Sequence, residues 1–394
     1  MTAARTRRPL RVAFLGHSAK LSGAELSLVE LVSALEDAEV VVILAEDGPL
    51  VDRLRETQTS VEVLPLADEA RLVRREELRP DGRRLLSAGV AVAGYSARLA
   101  RRLRALEVDL ADANTLKALV YGAPAARLAG VPLVWHVHDR ISEDYLPSLA
   151  VKALRGIARF ATAGLIANSE STLATVSGLG RPVTVVPEPI RHESFRADAG
   201  PGREEPFTVA MVGRIAPWKG QDVFVRAFAR AFRHGPERAV VFGAPLFGEH
   251  DYERALLDLI ADLGLEDRLE LRGFTGDVAG ELERVHALVH ASVIPEPFGR
   301  VIVEGMAAGL PVVAAAGGGP TEIVTDGVDG ILYPPGDVDE LARILRRLAS
   351  EPALAARLGA AAVERARAFS PEVAAAGTRA FYRAVLDRRE RAAA

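Results

Sequence analysis

Along most of the chain, short unbroken apolar runs alternate with stretches of helical periodicity. LRVAFLG (10–16) precedes AELSLVELVSALED (24–37), in which Leu28, Val32 and Leu35 share one stripe. VVVILAED (40–47), VEVLPL (61–66), LVWHVHD (133–139), AGLIANS (163–169) and VTVVP (183–187) continue the series. Apolar runs without alternation belong to strands buried on both faces, that is, parallel strands connected by helices. The pattern lapses over PIRHESFRADAGPGREEPF (189–207), a polar, proline- and glycine-containing stretch that reads as a boundary. It resumes with FTVAMVG (207–213), AVVFGA (239–244), LELRGF (269–274), ALVHAS (287–292), PVVAAA (311–316) and GILYP (330–334). The expected fold class is α/β, with two doubly wound Rossmann-like domains, 1–190 and 191–370, and a helix in 371–394. Ligands of such sheets sit outside the carboxyl ends of strands, and two facing domains would place a site in the cleft between them.

Composition narrows the function. The 394 residues suit two domains, and 49% hydrophobic with 26% charged residues describes an ordinary globular protein. A net charge of −4 argues against a protein that wraps nucleic acid, which needs a broad basic footprint. The absence of cysteine removes disulfides, thiolate nucleophiles and cysteine-ligated zinc. The N-terminal apolar run is short and interrupted by Arg11, so no signal-peptide core is read there and a cytoplasmic location is the default. LLSAGVAVAGY (85–95), flanked by Arg83, Arg84, Arg98, Arg101 and Arg102, reads as a buried helix with solvated ends. A helix lying on a membrane surface is the alternative.

Two cations stand where a phosphate would bind. Arg214 follows the run 207–213 and Lys219 precedes a helix starting near Gly220 or Gln221, so both flank a strand's carboxyl end and a helix N-terminus. In PEPFGRVIVEGMAAGLPVVA (295–314), Pro295 and Pro297 keep Glu296 in a loop, while a helix from Phe298 or Gly299 carries Glu304. Amides of Phe298, Gly299 and Arg300 then face outward beside two carboxylates. Carboxylates accept hydrogen bonds from neighbouring hydroxyls, which suits a polyhydroxy ligand, while the cations hold an anionic part.

With these segments the chain resembles a retaining glycosyltransferase of the GT-B fold, in glycosyltransferase family 4, along essentially its whole length. EPFGRVIVE, GRIAPWKG and GGGPTEIVTDGVDGILYPPGD carry the resemblance. It implies that Arg214 and Lys219 bind the diphosphate of a nucleotide sugar, Glu304 the ribose hydroxyls, and Glu296 with the amides at 298–300 the transferred sugar. It further implies that Phe274 and Thr275 line the nucleobase, that Gly243 admits the nucleotide close to the backbone, and that Gly23 approaches the donor and acceptor. A metal or other cofactor is not implied, and 371–394 would brace the first domain. Similar enzymes bring one histidine to the donor sugar; His138 in WHVHD matches better than His136, with a hydrogen-bonded structural histidine as the plain alternative. Asn168, Ser169 and Glu170 match a segment near the site, though Ser169 reads equally as a helix cap. Glu188 stands where asparagine is frequent, and no role is read for it.

A His-x-His pair can bind metal, but no third ligand accompanies His136 and His138. Asp337-Val338-Asp339 spells a metal-binding D-x-D, yet its place before LARILRRL makes Asp337 an N-cap. The expected reaction is hexosyl or N-acetylhexosaminyl transfer to a hydroxyl or amine with retained anomeric configuration, the resemblance favouring same-face attack assisted by the leaving phosphate. The acceptor, a small molecule, a glycan or a lipid-linked species, would be held by loops around 68–100 and 139–150, and contact with a membrane surface goes with the last of these. A nucleotide-sugar epimerase of the same architecture and a nucleotide-sugar-binding protein without turnover are the rival readings.

Overall fold

The computed structural model describes residues 8–66, 82–192, 206–246 and 248–393. They divide into two compact units, one comprising residues up to Pro189 together with Pro371–Ala394, the other Ile190–Ser370. Most of the 189–207 stretch, 193–205, lies outside the described residues.

The first unit is built on a parallel sheet of β1 (Leu10–Gly16), β2 (Ala38–Leu44), β3 (Ser60–Val63), β4 (Leu110–Ala113), β5 (Leu133–Val137), β6 (Gly164–Ala167) and β7 (Val183–Val185), in the order β3-β2-β1-β4-β5-β6-β7. The order reverses between β1 and β4, so the crevice at their carboxyl ends is the expected ligand position. β4 is not legible as an apolar run: LADA carries Asp112, which is completely buried and accepts a hydrogen bond from Tyr382 Oη at 2.5 Å. Tyr382 belongs to the helix Pro371–Ala393, whose Ala374, Ala375, Phe381 and Val385 enter the same core as Leu28, Leu31 and Val32 of the helix Gly23–Ser33.

The helix Gly82–Ala105 corrects two expectations. Residues 82–100 of the stretch read as an acceptor loop are helical, and the apolar run is not wholly buried: Val90 is 66% exposed. Val92 is partly buried against the core, the Tyr95 ring meets Tyr121 edge-on at 4.7 Å, and Ser96 donates to the Tyr121 carbonyl. The segment 67–81 lies outside the described residues. No helix among the described residues is long and apolar enough to cross a membrane.

The second unit carries β8 (Thr208–Val212), β9 (Arg238–Phe242), β10 (Leu269–Gly273), β11 (Ala287–His290), β12 (Val312–Ala315) and β13 (Ile331–Tyr333), all parallel, in the order β10-β9-β8-β11-β12-β13. These match the six apolar runs to within two residues at each end. The order reverses between β8 and β11, which puts the loops after those two strands side by side.

Candidate active site

At that reversal the second unit brings together residues remote in sequence. After β8 the chain turns through Gly213, Arg214, Ile215 and Ala216, makes one 3₁₀ turn over Pro217–Lys219 and enters the helix Gln221–Ala231. Gly220 has φ +73°, and a Cβ there would lie 2.1 Å from the Ala291 carbonyl oxygen, so only glycine lets this turn rest on the loop after β11. The Trp218 carbonyl accepts from Val293 N at 2.9 Å and ties the two loops together.

Lys219 Nζ consequently donates to both oxygens of Glu296, at 2.8 and 2.9 Å, across 77 positions of sequence. Ser292 Oγ donates to Glu296 Oε2 at 2.6 Å and His290 Nε2 does so at 3.3 Å. Burial alone would raise the carboxyl's proton affinity; the Lys219 charge and the His290 hydrogen bond outweigh it and hold Glu296 well below the usual carboxylate range. The Glu296 backbone is clamped as well, by N–H donation to the Gly317 carbonyl and by acceptance from Gly319 N. A Cβ on Gly318 would sit 2.2 Å from the Glu296 carbonyl oxygen and one on Gly319 2.2 Å from that of Phe298, which explains the glycine run before Pro320.

Arg214 lies across the Trp218 ring, 5.7 Å from its centroid, with Glu249 Oε1 3.6 Å from its Nε; Lys219 Nζ is 4.3 Å from the same ring. The indole thus spaces two cations that would otherwise repel. The helix of the second carboxylate starts at Arg300, with Gly299 as its N-cap at φ +106°, and runs to Ala307. Glu304 is buried and pairs with Arg300 Nε at 2.9 Å, one turn earlier. The Phe298 side chain is a core residue, 3% exposed, so only its backbone is available to a ligand. Gly243 follows β9, donates to the Gly273 carbonyl, and would bring a Cβ within 1.9 Å of the Gly213 oxygen; the close backbone approach it permits is first of all that of β8. Phe274, 66% exposed, and Thr275 follow β10.

In the first unit, Gly23 opens its helix after β1 and His138 follows β5. His138 Nδ1 lies 3.2 Å from Glu188 Oε1 and its Nε2 3.1 Å from Asn114 Oδ1; Asn114 Nδ2 donates to the Ala24 carbonyl, linking the two loops. The His136 ring stacks on that of His138 with centroids 5.1 Å apart. Asn168 donates to both Glu188 and the His138 carbonyl. Ser169 and Asp337 are N-caps, accepting from Thr172 N and Glu340 N. Sequence reading singled out none of Asn114, Trp218, Glu249, His290 and Ser292, and gave Glu188 no role. For His290 and Ser292 the H-x-S-x₃-E spacing that ends at Glu296 is a usable signal, since it returns polar groups to a strand end.

A seven- and a six-stranded parallel Rossmann-like sheet, the second with a paired Lys/Glu and a Glu-bearing helix N-terminus at its reversal, define a GT-B glycosyltransferase fold. The chain belongs to glycosyltransferase family 4: the family described as "Glycosyltransferase Family 4" matches residues 21–194, and that described as "Glycosyl transferases group 1" matches residues 195–365. The D-inositol 3-phosphate glycosyltransferase of Kribbella flavida is 36% identical over 191 residues, 47% of this chain and 45% of that protein. The protein of the same description from Thermobifida fusca is 32% identical over 295 residues, 67% of each. The chain spans about half the length of the first curated relatives it matches. Among solved structures, Anabaena HepE in complex with UDP and glucose aligns at TM-score 0.80 and 31% identity, covering 93% of this chain and 97% of that one.

Proposed function

We propose that the protein transfers a hexosyl or N-acetylhexosaminyl group from a nucleotide diphosphate sugar to an acceptor hydroxyl or amine, with retention of anomeric configuration. The observation that carries this reading is the Lys219–Glu296 pair at the β8/β11 reversal, beside the amide-bearing start of the Arg300 helix. Unit two is the donor-binding half, and the Anabaena relative solved with UDP-glucose makes a uridine diphosphate sugar the first donor to try.

An ammonium has three donors, so Lys219 can hold Glu296 and still reach a phosphate oxygen. Together with Arg214 it would offset the charge that grows on the departing diphosphate. Glu296 and the amides of Phe298, Gly299 and Arg300 would receive the sugar, Glu304 the ribose, and Phe274 and Thr275 the base, while Gly243 would let the protein backbone approach the nucleotide. Gly23 and His138 are the contributions of the first, acceptor-binding unit. With no side chain placed as a covalent nucleophile among these residues, same-face attack aided by the leaving phosphate is the mechanism we adopt, without a metal.

Incubation with a panel of nucleotide sugars, with and without small-molecule, glycan and lipid-linked acceptors, tests the reading by nucleoside diphosphate release and by NMR of the new anomeric centre. Acceptor-dependent release with a retained anomer is expected. An epimerised donor, an inverted product, or binding without release overturns it.

A further inference from the structure

Glu188 sits in the loop after β7 and is 7% exposed. Its carboxylate accepts from Ser27 Oγ at 3.0 Å and Asn168 Nδ2 at 2.8 Å, and meets His138 Nδ1 at 3.2 Å. On the other edge of the ring, His138 Nε2 meets Asn114 Oδ1 at 3.1 Å, and the orientation of that amide is set by Nδ2 donation to Ala24. Both ring nitrogens therefore face acceptors. A neutral imidazole has one donor and one lone pair, so either tautomer would set a lone pair against an oxygen; only the imidazolium donates from both positions.

We propose that Glu188 is a positioning residue, the buried counter-ion that holds His138 doubly protonated, so that Nε2–H can pass from Asn114 to an oxygen of the donor sugar or its phosphate. The ligand half of this statement rests on the transferase reading; the protonation half does not. Other titratable groups face His138: Glu25 from the helix Gly23–Ser33, Asp139 beside it in the chain, and the stacked His136, itself 3.5 Å from Asp112. Burial pulls the proton affinity of His138 down, but the hydrogen bond and charge of Glu188, then Asp139 and Glu25, outweigh it, and the net direction is up. A small cavity is lined by Ser27, Asn114, His136, His138 and Glu188 together with the buried Leu28 and Val186.

The experiment is an NMR titration of the imidazole of His138 in the full chain without ligand, assigned with His138→Gln, in wild type and Glu188→Gln. The wild-type ring should stay protonated above the ordinary histidine value of about 6.5 and titrate at least about one unit lower in the variant. Titration at or below the ordinary value, or no difference between the two proteins, overturns the proposal. Should the glutamine variant fail to fold, the wild-type titration alone decides. In the transfer assay, Glu188→Gln should lower kcat about tenfold and move the alkaline limb of the pH profile to lower pH, with Glu188→Asp restoring part of both. An NMR shift with an unmoved pH profile overturns the role in donor contact, whereas absence of any transfer in wild type counts against the transferase reading and leaves the protonation result standing.

Discussion

Replacing Lys219 by alanine takes from Glu296 the partner that touches both of its oxygens, at 2.8 and 2.9 Å, in a place where the two side chains are only 17% and 10% exposed. At an effective dielectric of about 20, charges about 3 Å apart attract by roughly 5 kcal/mol, and desolvation of the two ions takes back several. Breaking a buried pair from one side usually costs about 3–5 kcal/mol. Here Ser292 at 2.6 Å and His290 at 3.3 Å remain on the carboxylate, so we expect a stability loss of about 2 kcal/mol, below the usual range for such pairs. Activity should fall further, because the same ammonium is placed to meet the leaving diphosphate: about 10²–10³ in kcat, the scale of removing one preorganised donor. Denaturant unfolding and nucleoside diphosphate release measure the two effects separately. The pH dependence has a definite sign. Glu296 has a depressed folded proton affinity, so its pairing stabilises the protein above the unfolded glutamate value and is lost as pH falls toward the folded one. The gap in stability between wild type and Lys219→Ala should thus be widest near neutrality and close in acid. A kcat within twofold of wild type, or a gap that does not narrow in acid, would refute the reasoning.

Three further outcomes are expected. Tyr382→Phe removes the hydroxyl on the fully buried Asp112 and should cost about 1–3 kcal/mol in unfolding experiments while leaving donor KM unchanged. Gly318→Ala, at φ +76° with a Cβ 2.2 Å from the Glu296 carbonyl oxygen, should displace the Glu296 loop and abolish donor binding by calorimetry, with the second sheet still folded by circular dichroism. Transfer should survive prior treatment with a chelator and dialysis; loss of activity restored by a divalent metal would contradict the metal-independent reading.

Most strands of the second unit were readable because they are covered on both faces, which demands an apolar run whatever the neighbours are; the edge strand β10 instead alternates, with Glu270 and Arg272 exposed. β4 was not readable, since its core position holds Asp112, a carboxylate bonded there by Tyr382 from 270 residues away, with His136 3.5 Å from it. The apolar run in the helix Gly82–Ala105 departed in the opposite direction: its composition suggested burial, but Val90 is exposed while Tyr95 packs on Tyr121.

The candidate site divides in the same way. Local sequence set the type of each group and its place at a strand end: Arg214 and Lys219 before a helix, Glu296 kept in a loop by flanking prolines, Glu304 carried on a helix. Periodicity, proline and glycine act over a few residues, so a sequence read by itself reaches that far. Which group meets which was settled by strand order. Placing β8 beside β11 joined Lys219 to Glu296, and placing β4 beside β5 set Asn114 against His138. The partner of Glu188 followed from a fold that seats Ser27, 161 positions away, against the same carboxylate. Such pairings are long-range because hydrophobic burial selects the sheet order first, and polar groups then satisfy one another wherever that order has left them.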